Sequence, residues 1–214
     1  MVLMVDVTGF APPDESLVRD YLARFADDGF QLGDLERISR ADLPGFNGLV
    51  TPRLVPGRPR LVSVLELALP AAFTIAHELA HVADIAVRHA ETLDHLAGRH
   101  PTHWHLAHRL SSEYYANRIA CRFCGDEEIF PAFTNDRIGM VAAARKGDWA
   151  HVLINYAMLL GIFHGLGRED VEPLELLPAA DDLPEEVLRG IGGFRNNAAA
   201  FFAEYGRLPE PAGE

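Results

Sequence analysis

Phe73-Thr74-Ile75-Ala76-His77-Glu78-Leu79-Ala80-His81 places two histidines four residues apart, with a glutamate directly after the first. Pro70 suits the first turn of a helix, and the pattern runs on through Asp84 towards Arg88, which predicts one helix across this stretch. Helical side chains four positions apart stand one above the other. His77 and His81 can therefore offer both imidazoles to one metal ion. Glu78 leaves the helix at a neighbouring angle, within reach of a proton on a water that the metal activates. Phe73, Ile75, Ala76, Leu79 and Ala80 are residues a buried helix should contain. The bland alternative is two ordinary helical histidines, and three fixed letters in a chain with 10 histidines do not exclude it.

A catalytic zinc ion takes three protein ligands as a rule and leaves its fourth position to water or substrate. Glu113 is the preferred third ligand. It lies in Ser111-Ser112-Glu113-Tyr114-Tyr115-Ala116-Asn117-Arg118-Ile119-Ala120, on a second helix predicted from about His105 to Phe123. Asn117, one turn further on the same face, is a candidate to brace a ligand histidine or the glutamate. Ala116 and Ala120 would let this helix come close to the first. Asp84 and His89 compete for the third position. Three ligands on successive turns of one straight helix wrap poorly around a single ion, so Asp84 fits better as a carboxylate holding a ligand histidine, or as a plain surface acid. A metzincin needs glycine and histidine where Asp84 and Val87 stand, which disfavours His89 and that class.

His95, His100, His103, His105 and His108 crowd the approach to Glu113. Acyl-transfer chemistry needs a donor for the developing oxyanion. His105, roughly on the face of Glu113, and Tyr114 are the candidates taken forward, with Tyr115 and Tyr156 behind them. His164, at the end of an apolar helix, equally suits that helix's carboxyl end. Cys121 and Cys124 continue the Glu113 face as a small packing surface. A redox pair is the weaker reading, because this CxxC closes a helix instead of opening one.

Outward from these motifs, Pro12-Pro13-Asp14-Glu15 opens a helix carried by Leu17, Val18, Tyr21, Leu22 and Phe25 and stopped by Gly29. Leu35 and Ile38 suggest a second short helix. Gly45 to Val50 reads as a turn feeding a strand, and Arg60 to Leu67 as a largely buried strand. Thr92 to His103 should connect the two motif-bearing helices, and Trp149 to Phe163 forms another helix ended by Gly165 and Gly167. Val171 to Gly193, with three prolines and six acids, reads as a solvated excursion, followed by a last short helix at Asn196 to Tyr205.

The 214 residues suit one domain with a small appendage, here 1–170 and 171–214, the latter packed on the same domain. With 49% hydrophobic and 23% charged residues, a substantial core forms readily. Nineteen basic residues against 31 acidic ones give a net charge of -12, which disfavours nucleic acid as a direct partner. No apolar stretch reaches the roughly 20 residues that span a bilayer, and two cysteines make no disulfide framework. A cytoplasmic protein without a membrane partner is the expectation.

Phe73 to His81 closely resembles the catalytic helix of the ImmA/IrrE-like metallopeptidases, which typically follows a short strand. Glu113, Ala116-Asn117 and Ala120 match the family's next landmark, and a glutamate on a following helix as third ligand marks the broader gluzincin group. Ile129-Phe130-Pro131 echoes the Leu-Met-Pro sequence that ends the second helical segment in the family. The resemblance covers roughly Arg60 to Pro131. It implies an α+β fold, with a small N-terminal β-sheet on a mostly helical zincin-like core and additional C-terminal helices. It further implies Zn2+ held by His77, His81 and Glu113, with Glu78 as general base, and hydrolysis of a peptide bond in a protein or peptide substrate such as a transcriptional regulator. The alternative is a catalytically silent regulatory or protein-binding module on the same architecture.

Overall fold

The computed structural model describes residues 5–98, 102–178 and 180–205. They cluster into two compact units that part between residues 98 and 102, inside the span assigned above to one domain. The architecture is α+β: a four-stranded mixed sheet and, among the described residues, seven α-helices.

The first unit runs β1 (Asp6–Thr8), α1 (Pro12–Asp27), β2 (Asp34–Arg40), β3 (Gly48–Arg53), β4 (Val62–Leu67), α2 (Ala72–Val87) and α3 (His89–Leu96). Helix α1 follows its sequence signals, with Pro12 at its start, Asp14 and Glu15 in its first turn, and Val18, Tyr21 and Phe25 buried. Gly29 then turns the chain at a φ of 81°. In the sheet the order is β1-β2-β4-β3, with β2 parallel to both β1 and β4, and β3 antiparallel to β4. Strand β4 is central and almost wholly buried, which explains its run of apolar residues without polar alternation. Strand β3 forms an edge, where Pro52 is tolerated.

The short helix expected at Leu35 and Ile38 is instead strand β2. In a regular strand, residues three apart face opposite sides. Here the register against β4 shifts between Leu35 and Arg37, so Glu36 is the extra residue of a bulge and both Leu35 and Ile38 are buried. The bulge imitates helical spacing. Thr92 to His103, expected as a connection, overlaps α3, which starts earlier at His89.

The second unit contains α4 (Thr102–Phe123), α5 (Asp126–Lys146), α6 (Trp149–Gly165), two 3-10 turns (Pro173–Leu176 and Ala180–Asp182) and α7 (Glu185–Tyr205). Helices α4 and α6 meet through glycine. A Cβ on Gly161 would lie 2.5 Å from the Tyr114 carbonyl oxygen, and one on Gly165 would lie 2.8 Å from the Arg118 carbonyl oxygen. Helix α5 was not foreseen. Asp126, Glu127 and Glu128 fill its first turn, the Glu128 carboxylate accepts from the Gly125 N–H at 2.8 Å, and Gly147 closes it in the left-handed region at φ 68°. Pro131 therefore lies inside α5, early in it, and does not end a helix.

The segment expected to be a solvated excursion is folded. Pro173, Leu177, Leu183, Val187 and Ile191 are buried, most of them in the cluster that contains Tyr114, Tyr156 and Leu160. Its prolines precede or open helical turns instead of keeping the chain extended, and Leu183, Val187 and Ile191 recur every four residues as a helix requires. The last helix consequently begins at Glu185, not Asn196. Among the described residues no helix is long and apolar enough to cross a membrane.

One charged pair lies inside the first unit. Arg88 Nε donates to Asp84 Oδ1 at 2.7 Å, and Nη2 pairs with Oδ2, with both side chains only 2–3% exposed. Removing one partner strands a buried charge. Arg88→Ala should lower unfolding stability by about 3–5 kcal/mol in urea titrations, while the paired replacement Asp84→Leu with Arg88→Met should lose much less.

Candidate metal centre

The chemistry-bearing helix of the first unit is α2. Phe73, Ile75, Ala76, Leu79, Ala80, Val82 and Ala83 bury nearly its whole circumference. His77 and His81 are only half-buried, one turn apart on the same face. Their Nε2 atoms are 2.9 Å apart and their rings meet edge to face at 86°. Phe73, a further turn back, stacks against His77 with 6.4 Å between centroids.

His77 and His81 of the first unit each offer an imidazole nitrogen as a possible metal ligand, and Glu113, on α4 of the second unit, offers a carboxylate oxygen. Two imidazole nitrogens and a carboxylate oxygen are donors that zinc accepts readily. Nitrogens bound tetrahedrally at the usual Zn–N length stand about 3.3 Å apart, so the observed 2.9 Å needs only a small opening of the two rings. Arg109 Nε lies 3.6 Å from Glu113 Oε1, one turn back on α4. Glu78 is 6% exposed and borders Gly48 at the start of β3: a Cβ there would fall 2.5–2.7 Å from its Cγ, Oε1 and Cδ.

Other candidates have different company. Asp84 is not a surface acid, because both its oxygens are engaged by Arg88. His89 Nε2 accepts the Leu61 N–H at 3.1 Å, which ties it to the entry of β4. Asn117 is fully buried, and its two amide hydrogens go to Asp136 Oδ2 at 3.2 Å and the Met158 carbonyl at 3.0 Å, so it clamps α4 to α5 and α6 instead of donating to a ligand. His105 lies two turns before Glu113 on α4 and is half-buried. His100 and the side chains of His95 and His103 lie outside the described residues.

Tyr114 also departs from its expected role as an oxyanion donor. It is fully buried; its hydroxyl accepts from Arg118 Nη1 at 2.6 Å and stands 2.7 Å from His164 Nδ1. In the His164 tautomer whose Nδ1 is unprotonated, the phenol's one proton is donated to it. Burial raises the Tyr114 pKa, opposed by Arg118. Burial lowers that of His164, reinforced by Arg118. Burial likewise pushes up the Tyr156 phenol in the same core. The Cys121 thiol is pushed up to about 12 by burial and then by Cys124, and both cysteines are free. That suits packing against α6, where a Cβ on Gly165 would lie 2.7 Å from the Cys121 Cβ, and removes the basis for a redox pair.

Sequence reasoning missed Gly48 and the Tyr114–His164 bond. A glycine opening a strand is a recognised sign of close approach and could have drawn attention to Gly48. No sequence signal links positions 50 residues apart. No family model, curated protein or solved structure matches the chain.

Two outcomes are expected. Calorimetric titration of the metal-free protein with zinc should show one site, weakened at least tenfold by His77→Ala, His81→Ala or Glu113→Ala and untouched by His151→Ala, whose side chain is exposed. For His164 the lowered pKa means that the folded protein holds fewer protons than the unfolded chain just below the usual 6.5. Its contribution is complete above pH 6.5 and declines as pH falls towards the folded value. Melting curves from pH 7.5 to 5 should therefore show a shallower acid loss in His164→Gln than in the wild type.

Proposed function

We propose that the protein is a zinc-dependent peptidase that hydrolyses a peptide bond in a protein or peptide substrate, a transcriptional regulator being one suitable class. The observation that carries the reading is the pair of helical imidazoles, with Nε2 atoms 2.9 Å apart, and the nearly buried carboxylate of Glu78 directly after the first histidine. A structural metal site needs only the ligands. The additional glutamate, packed against backbone and largely screened from water, is what hydrolysis would require.

Zinc at this position would supply a Lewis acid and lower the pKa of a water. His77, His81 and Glu113 would hold it. Glu78 would accept a proton from the attacking water and return it to the leaving amine nitrogen. The outer edge of β3, open to pairing in the sheet order, would take an extended substrate by strand addition. A half-buried His105 remains the candidate donor to the developing oxyanion, since the Tyr114 hydroxyl is committed to Arg118 and His164.

Glu78→Gln keeps shape and removes the base. The variant should retain one equivalent of zinc by elemental analysis yet cleave a quenched-fluorescence peptide pool about 10²–10⁴-fold more slowly than the wild type. Zinc binding with no cleavage by the wild type would instead leave a silent, protein-binding module.

A further inference from the structure

The geometry points to Gly48 as the residue that positions the Glu78 carboxylate: the missing side chain at the start of β3 is the space which that carboxylate fills. This rests on the peptidase reading for its catalytic consequence, but the contact itself stands independently of it.

The Gly48 backbone is not in the left-handed region, so turn geometry does not demand glycine. Space does. A methyl group at this position would come within 2.5 Å of Glu78 Cγ, 2.6 Å of Oε1 and 2.7 Å of Cδ, far inside carbon–carbon or carbon–oxygen contact. One side must yield, and the surroundings decide which. The Asn47 carbonyl, immediately before Gly48, accepts from the Ala68 N–H at 2.8 Å and the Leu69 N–H at 3.1 Å. Gly48 itself pairs with Leu67 in the antiparallel ladder. These bonds secure the start of β3 to the end of β4, just ahead of α2, so the strand cannot retreat without breaking them. The root of Glu78 is equally fixed on a buried helix. The rotatable carboxylate is the side that would have to shift.

Gly48 thereby holds the general base from the strand side, as Ala76 and Leu79 hold its helix from within. A carboxylate confined between a strand backbone and its own helix keeps one orientation before substrate arrives. That is the preorganisation on which proton transfer depends, and a displacement on the order of 1 Å costs on the order of 10²-fold in rate.

The test compares wild type, Gly48→Ala, Glu78→Ala and the double variant. In the metal-free protein, Gly48→Ala should lower the melting temperature by about 2–4 °C, whereas the same change in the Glu78→Ala background should cost nothing or raise it, because the obstructing side chain is gone. A Gly48→Ala protein that folds only when Glu78→Ala is also present is the extreme form of this result. Equal losses in both backgrounds, or failure of both to fold, would overturn the contact. In the zinc-loaded protein, Gly48→Ala should retain its zinc and lower kcat roughly 10–100-fold with KM within about twofold. An unchanged kcat, or loss of zinc, would overturn the positioning role. A wild type without hydrolysis defeats the peptidase reading alone, since the stability cycle still decides whether Gly48 confines Glu78.

Discussion

Helix α2 is buried almost all round, and the first unit is organised by that fact. A helix with so little solvent face has few places for polar groups, so each one present has a specific neighbour. Asp84 is engaged by Arg88, and Glu78 lies against the backbone of β3. His77 and His81 occupy the strip that stays half open. Their convergence is a direct consequence of a 3.6-residue turn, while their orientation is held by Phe73 on one side and by the packing of α2 on the other. Strand β4 and the Asn47 carbonyl supply the anchor, because the chain leaves β4 and enters α2 within a few residues of the two hydrogen bonds made to that carbonyl.

The second unit solves a different problem. Its helices α4, α5 and α6 carry polar side chains in their interfaces, and several of these are hydrogen-bonded across them. Asn117 reaches Asp136 and the Met158 carbonyl, and Tyr114 joins Arg118 to His164. Glycines at 161 and 165 bring α6 close to α4, near enough for the short Asn117 side chain to reach the Met158 carbonyl. Residues that looked like accessories to a metal site from their place on the Glu113 face thus serve the interior of a helical bundle. Helical periodicity identifies a shared face but cannot say what lies opposite it.

Several elements were legible because their signals were local. Prolines and acids opened α1, a continuous apolar run announced β4, and glycines closed α6. Other elements were hidden by competing signals. The bulge in β2 gave Leu35 and Ile38 a helical spacing, and Pro131 masked a helix whose first turn was otherwise well marked. Between Val171 and Gly193 the acids and prolines drew attention away from Leu177, Leu183, Val187 and Ile191, which are apolar enough to join the core. Composition averages over a segment, whereas burial acts on single side chains.

The pairing of His77 with His81 and the place of Glu78 beside them follow from the sequence alone, because helix geometry relates residues a turn apart without help from the rest of the chain. Glu113 was nominated from sequence by its residue type and helical setting, and it does lie on a long helix, α4. Gly48 belongs wholly to the tertiary structure. Nothing in the order of amino acids says that one glycine among 18 will border a particular carboxylate. That contact arises only when an edge strand and a buried helix are brought together, since the distance between elements is set by packing and not by local propensity.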